Sequence, residues 1–225
     1  MVKRLLTGIF TLIFAAGILV YASGADFVER YEYDGRFGDI RTEDWFFSSV
    51  VRSYELGIMN GVSYAEFNPH GKVTTLQAVV LAARLHSLHH RGTELFLSGE
   101  FWYTGAVQYA IEHRIVSTGI WRYLNTEITR AKFFQLINDS LTDNMVKPIN
   151  PLPNGAIAPW TLLPQGLFPD LDAQSIYAPA IYRMYQAGIL TGDSKGIRGG
   201  DTITRVETAA LMVRVAEEDL RIRAG

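Results

Sequence analysis

Ile203-Thr204-Arg205-Val206-Glu207 runs directly into the apolar stretch Thr208-Ala209-Ala210-Leu211-Met212-Val213. Thr204 is the residue type that starts a helix, and Glu207 stands three positions on, where a capping box takes its acid. Arg205 does not belong there on helix grounds. A cation in the first turn opposes the macrodipole, at about 0.3–1 kcal/mol when close to the axis. The pattern recurs as Val73-Thr74-Thr75-Leu76-Gln77 and as Ile128-Thr129-Arg130-Ala131-Lys132. Three copies in one chain predict a repeat architecture, each copy opening the second helix of a helix-pair unit.

Working outward, the first unit spans 37–92. Phe37-Gly38-Asp39-Ile40 opens it, and Trp45, Phe46, Val50, Val51 and Tyr54 follow at helical spacing. Gly57 is placed to end that helix and Gly92 to end the next. The second unit, 96–142, is degenerate. It has no Phe-x-Asp opening, Arg114 stands where the other units have glycine, and Lys132 replaces the capping acid. The third unit, 167–220, is the cleanest, with Phe168-Pro169-Asp170-Leu171, a helix from Tyr177 to Ala187, and Gly188-Ile189-Leu190. Between the last two units, 143–166 holds five of the eight prolines and predicts an extended linker.

With 48% hydrophobic and 20% charged residues the chain is a folding sequence. A net charge of −2 gives no basic face for nucleic acid, and the lack of cysteine excludes disulfides and thiolate chemistry. Lys3 and Arg4, an apolar run to Ala22 and the small residues Ala22-Ser23-Gly24-Ala25 read as a secretory signal peptide over 1–24. An uncleaved membrane anchor is the alternative, because the run approaches the length of a bilayer span. The third unit closes near Gly225, so the expectation is a small envelope component or an adaptor.

Together, Phe37-x-Asp39-Ile40, Gly57-Ile58-Met59-x-Gly61, Phe67-x-Pro69, Phe168-x-Asp170-Leu171, Gly188-Ile189-Leu190-x-Gly192 and Ile203-Thr204-Arg205-Val206-Glu207 resemble the S-layer homology repeat. The second unit retains Trp102, Tyr103 and Ile128-Thr129-Arg130-Ala131. The resemblance implies a mainly α fold of three helix-pair repeats in a pseudo-threefold, three-pronged bundle. It also implies a non-catalytic, exported, cell-wall anchoring module. Grooves between the repeats would hold an anionic secondary cell-wall polysaccharide or a peptidoglycan-linked polymer. An envelope adaptor whose repeats contact another envelope protein is the alternative, and a wall-active enzyme ranks below both.

The residues themselves suggest where such a ligand would sit. A helix N-terminus with an arginine beside it suits a carboxylate or phosphate, which marks Thr204 with Arg205 and Thr129 with Arg130. Trp45 and Trp102 fit either a core or a platform for sugar faces. Asp39 and Asp170 fit either helix-entry caps or acceptors for hydroxyl groups. With Thr75 in the arginine position of the first unit, unequal grooves are expected, the one using Arg205 binding best and the one using Arg130 next. His86, His89 and His90 share a helix face, but dipole compensation at a helix end accounts for them without a metal. No phosphate loop, nucleophile elbow or carboxylate pair is present, so neither catalysis nor a cofactor is predicted.

Overall fold

All three threonine signals start helices. The computed structural model describes residues 27–94, 96, 99–150 and 167–223. Their α-helices are α1 (Phe47–Glu55), α2 (Thr75–Arg91), α3 (Thr104–Glu112), α4 (Arg130–Ser140), α5 (Ala178–Gln186) and α6 (Arg205–Ala216). The expected signal segment and residues 151–166 of the expected linker lie outside the described residues. Among the described residues there is no β-strand, only isolated bridges, so the fold is mainly α. None of the described helices is long and apolar enough to cross a membrane.

Local chemistry sets the helix limits. Thr74 and Thr204 complete reciprocal capping boxes with Gln77 and Glu207. Thr129 has the same extended backbone but makes no cap bond through its side chain, and Lys132 has no side-chain acceptor for the reciprocal half of a capping box. At the far ends, Gly57 (φ 71°) and Gly188 (φ 72°) turn α1 and α5 off in the left-handed region. Arg114 does the same after α3 with φ 59°, although its Cβ makes that conformation unfavourable. The hydrogen bonds also match: Ile58, Ile115 and Ile189 donate to Ser53, Ala110 and Met184. The turn after α3 thus matches those after α1 and α5, with Arg114 in the place of glycine.

The three helix starts meet at the centre of the molecule. Val73 N–H donates to Ile203 O (3.1 Å), Ile128 N–H to Val73 O (2.9 Å) and Ile203 N–H to Ile128 O (3.4 Å), closing a ring. All three side chains are buried. Around this ring α2 packs on α3, α4 on α5 and α6 on α1, with α2 also touching α4. Each sequence unit therefore gives its two helices to two different pairs, and the first helix of a unit rests on the second helix of the unit before it. The pairing α6–α1 joins the end of the chain to its beginning.

Trp45 is a local departure from the sequence pattern. The periodicity counts it with α1, but the helix begins at Phe47, behind a turn closed by Phe47 N–H to Asp44 O (2.9 Å). The indole is consequently 70% exposed.

Candidate functional site

The two arginines at the helix starts point inward. Arg205 is buried, and its Nε and Nη2 donate to Phe67 O (2.7 Å) and Asn60 O (2.6 Å) of the first unit. Its guanidinium carbon lies 4.7 Å from the centre of the Phe67 ring. Arg130 repeats this arrangement one unit earlier, with Nε donating to Ile197 O (2.8 Å). Its Nη1, however, pairs with Glu207 at 2.7 Å. Burial lowers both arginine pKa values; Asp39 opposes this at Arg205 and Glu207 at Arg130. Guanidinium stays charged through any such shift.

The helix N-termini are also occupied. The first two N–H groups of α6 donate to Gly71 O and Pro69 O, those of α4 to Asp201 O and Gly199 O, and those of α2 to Thr126 O and Leu124 O. Each set joins one unit to a loop of another. These donors, which the sequence offers to an anion, are satisfied by carbonyls far away along the chain.

Asp39 and Asp170 act alike and cap no helix. Asp39 accepts from Phe67 N (2.9 Å) and Asn68 N (2.6 Å), and Asp170 from Ile197 N (2.9 Å) and Arg198 N (2.7 Å). Both hold a turn whose second residue is left-handed, Asn68 at φ 58° and Arg198 at φ 50°. Those turns carry the Phe67 and Ile197 carbonyls that receive the arginines. Aspartate, turn and arginine thus form one chain of contacts, twice over.

The aromatic candidates lie outside. Trp102 is 74% exposed and precedes α3 in the register that Trp45 occupies before α1. In the third unit that register falls on Ile176, also exposed, while Tyr177 corresponds to Phe46. The helix expected from Tyr177 to Ala187 is α5, with Tyr177 and Ala187 as its two caps.

Three clefts lie where a second helix of one unit meets the start of the next unit in the cycle. The first, about 400 Å³, is lined by Asn60, Gln77, Leu81, Arg84, Trp102 and Arg205 among others. The second, about 430 Å³, contains Trp45, His70, Lys72, Arg198, Asp201, Thr204 and Glu207. The third, about 600 Å³, contains Thr129, Lys132, Asp170, Asp172, Tyr177, Arg198 and Asp201. Each takes the residue three places into its helix, Gln77, Glu207 or Lys132. Their charges differ. The first has two arginines and no carboxylate in its wall, while the others mix both signs.

The sequence reading passed over Arg84, whose Nη1 donates to Ile58 O (2.7 Å) and whose Nε is 2.7 Å from Glu94, outside the cleft wall. Gln77, Leu81 and Arg84 do lie on one helix face by their spacing, a legible signal. The contribution of Arg205 to a cleft built mainly on α2 has no local signal. Glu207 is drawn two ways. Burial pushes its carboxyl up, but hydrogen bonds from Thr204, with Arg130 and Arg198 nearby, hold it below the usual range. Among the described residues no group of three or more side chains is arranged to hold a metal ion.

A model of the S-layer homology domain matches residues 36–78 and 167–209, which overlap the first and third units. A similar protein is the amylopullulanase of Thermoanaerobacterium thermosulfurigenes, 44% identical over 52 residues. The match covers 23% of this chain and 3% of the amylopullulanase. The chain therefore spans only a small part of that relative.

Proposed function

We propose that the chain is a non-catalytic cell-wall anchoring module, exported to the cell surface, that holds an anionic wall polymer in the clefts between its units. The polymer is a secondary polysaccharide or one linked to peptidoglycan. S-layer homology domains are anchoring modules of this kind, and two stretches of the chain match them. In this reading the Val73–Ile128–Ile203 ring marks a pseudo-threefold axis, with the second, degenerate unit (96–142) as the third arm.

One observation carries the reading: the first cleft combines two guanidinium groups, two side-chain amides and an exposed indole with no carboxylate in its wall. Anionic groups would meet Arg205 and Arg84, and a sugar face would lie on Trp102. Trp45 plays the same part in the second cleft, where Asp201 and Glu207 oppose an anion. Thr204 lines the second cleft and Thr129 and Asp170 the third, while Asp39 holds the Phe67–Asn68 turn and Arg130 joins the units behind them.

Purified sacculi, before and after chemical removal of secondary polymers, provide the test. The parent is expected to be pulled down and Arg84→Ala, Arg205→Ala and Trp102→Ala to bind more weakly, with Arg130→Ala less affected. Retention of the parent on stripped sacculi would identify peptidoglycan as the ligand. Absence of parent binding to either preparation refutes wall anchoring and leaves contact with another envelope protein. The exposed Ile176, which replaces an indole, suits such a contact on the third unit.

A further inference from the structure

Four of the five histidines lie at one place, where the C-terminal end of α2 meets that of α3. The His86 ring is 4.2 Å from His90 and 4.9 Å from His113, centre to centre. His86 Nδ1 is 2.8 Å from the hydroxyl of Tyr109 on α3, and the His113 ring lies 4.1 Å from the Tyr109 ring. His89 continues the cluster on α2, 5.1 Å from His90, with its other face toward Phe27. The nearby fixed charge is of the same sign: Arg91 lies 5.5 Å from the Tyr109 ring. The nearest carboxylate in the segment after α2, Glu94, is engaged by Arg84 and Tyr31. On α4, which also packs on α2, Lys132 lines the third cleft and Asp139 bonds Gln135 and Asn138. On α3, Glu112 is engaged by Gln108.

We propose that His86 and His90, packed against His113 and Tyr109, form an acid-sensitive latch between α2 and α3, closed when these two imidazoles are neutral and forced open when they are protonated. The consequence for the site follows from the position of α3. It carries His113 at its C-cap and Trp102 just before its N-cap, so moving α3 off α2 takes the indole out of the first cleft. This part rests on the anchoring function proposed above.

The direction is set by charge. Burial, then His90, His113 and His89, push His86 down to about 4 from its ordinary 6.5, and burial with His113 lowers His90. A base depressed in the folded state gives stability that is whole above pH 6.5 and is lost as pH falls toward 4. Each proton taken up favours the open form by up to tenfold per pH unit in that window. Partial exposure of the rings reduces the gain, and about tenfold in all is expected by pH 4.5.

Amide hydrogen exchange on the full chain tests the latch. From pH 7 to 4.5, protection factors in α3 and the C-terminal half of α2 should fall about tenfold, while those of the α1–α6 pair hold. The triple variant His86→Gln, His90→Gln, His113→Gln should remove the difference. His113→Gln alone, at an exposed position, should shrink it if the triple variant does not fold. Unchanged protection of α3 in the parent overturns the proposal, as does an equal loss in parent and variants. Sacculus binding at both pH values separates the two claims. Opening of α3 in a chain that binds no sacculi at either pH supports the latch and counts against wall anchoring. Acid loss of sacculus binding with α3 still protected counts against the latch.

Discussion

Arg205 and Arg130 hold the same register, first residue of a helix, and each sends Nε to the equivalent turn carbonyl, Phe67 O for Arg205 and Ile197 O for Arg130. Their surroundings then diverge. Arg130 meets Glu207, so its charge is compensated inside the protein. Arg205 makes two bonds to carbonyls, and among the described residues no carboxylate pairs with it. One motif thus produces a neutralised joint in one place and a cleft with cationic character in another. The lesson is that a repeat fixes geometry, while the charge of its partners is decided where units meet.

Arg205→Ala tests this comparison most severely. It should cost about 2–4 kcal/mol in urea unfolding, since two carbonyls lose a buried charged donor. Arg130→Ala should cost about 1–2 kcal/mol, because Glu207 keeps its bonds to Thr204. Equal costs would show that the ion pair makes no difference.

Next in size is the turn that ends each first helix. Gly188→Ala should destabilise by about 1–3 kcal/mol, because φ is positive and the new Cβ would lie 2.6 Å from Ile222 O. Arg114→Gly should stabilise by about 1 kcal/mol by relieving a left-handed arginine. Thermal unfolding of both variants would show opposite shifts; a loss in Arg114→Gly would mean that the arginine side chain makes up for its backbone.

Trp102→Ala should weaken sacculus binding about tenfold, near 1.4 kcal/mol, and Trp45→Ala less. The two indoles are similarly exposed, so a difference would come from the charges around them. Equal losses would remove the electrostatic ranking of the clefts.

The smallest effect separates the caps. Thr204→Ala should cost about 1 kcal/mol and Thr129→Ala under about 0.5, since only Thr204 accepts a cap bond. Similar values would mean that the extended backbone of the threonine matters more than its hydroxyl.

Much of the fold was legible in the chain. Thr74, Thr129 and Thr204 start helices, and Gly92 ends α2 as its position predicts. The missing capping box of α4 follows from Lys132 alone. The site was less legible. Trp45 looked like part of a helix because apolar spacing cannot distinguish a turn residue from the first residue of the helix behind it. The turn-holding role of Asp39 and Asp170 was not legible, because the first amides they accept from lie 28 and 27 residues further on.

What the sequence determined by itself was the recurring helix-start pattern, the threonine-led starts of α2, α4 and α6, the glycine that ends α2, and the unequal residues at the arginine position. Those features depend on caps, glycines and periodicity, all acting within a few residues. Tertiary structure alone decided that the first helix of each unit packs on its neighbour, that Arg205 reaches carbonyls 138 and 145 residues away, and which cleft is free of carboxylates. Those outcomes depend on how the three units close around the Val73–Ile128–Ile203 ring. Closure pairs donors and acceptors that have no fixed separation along the chain.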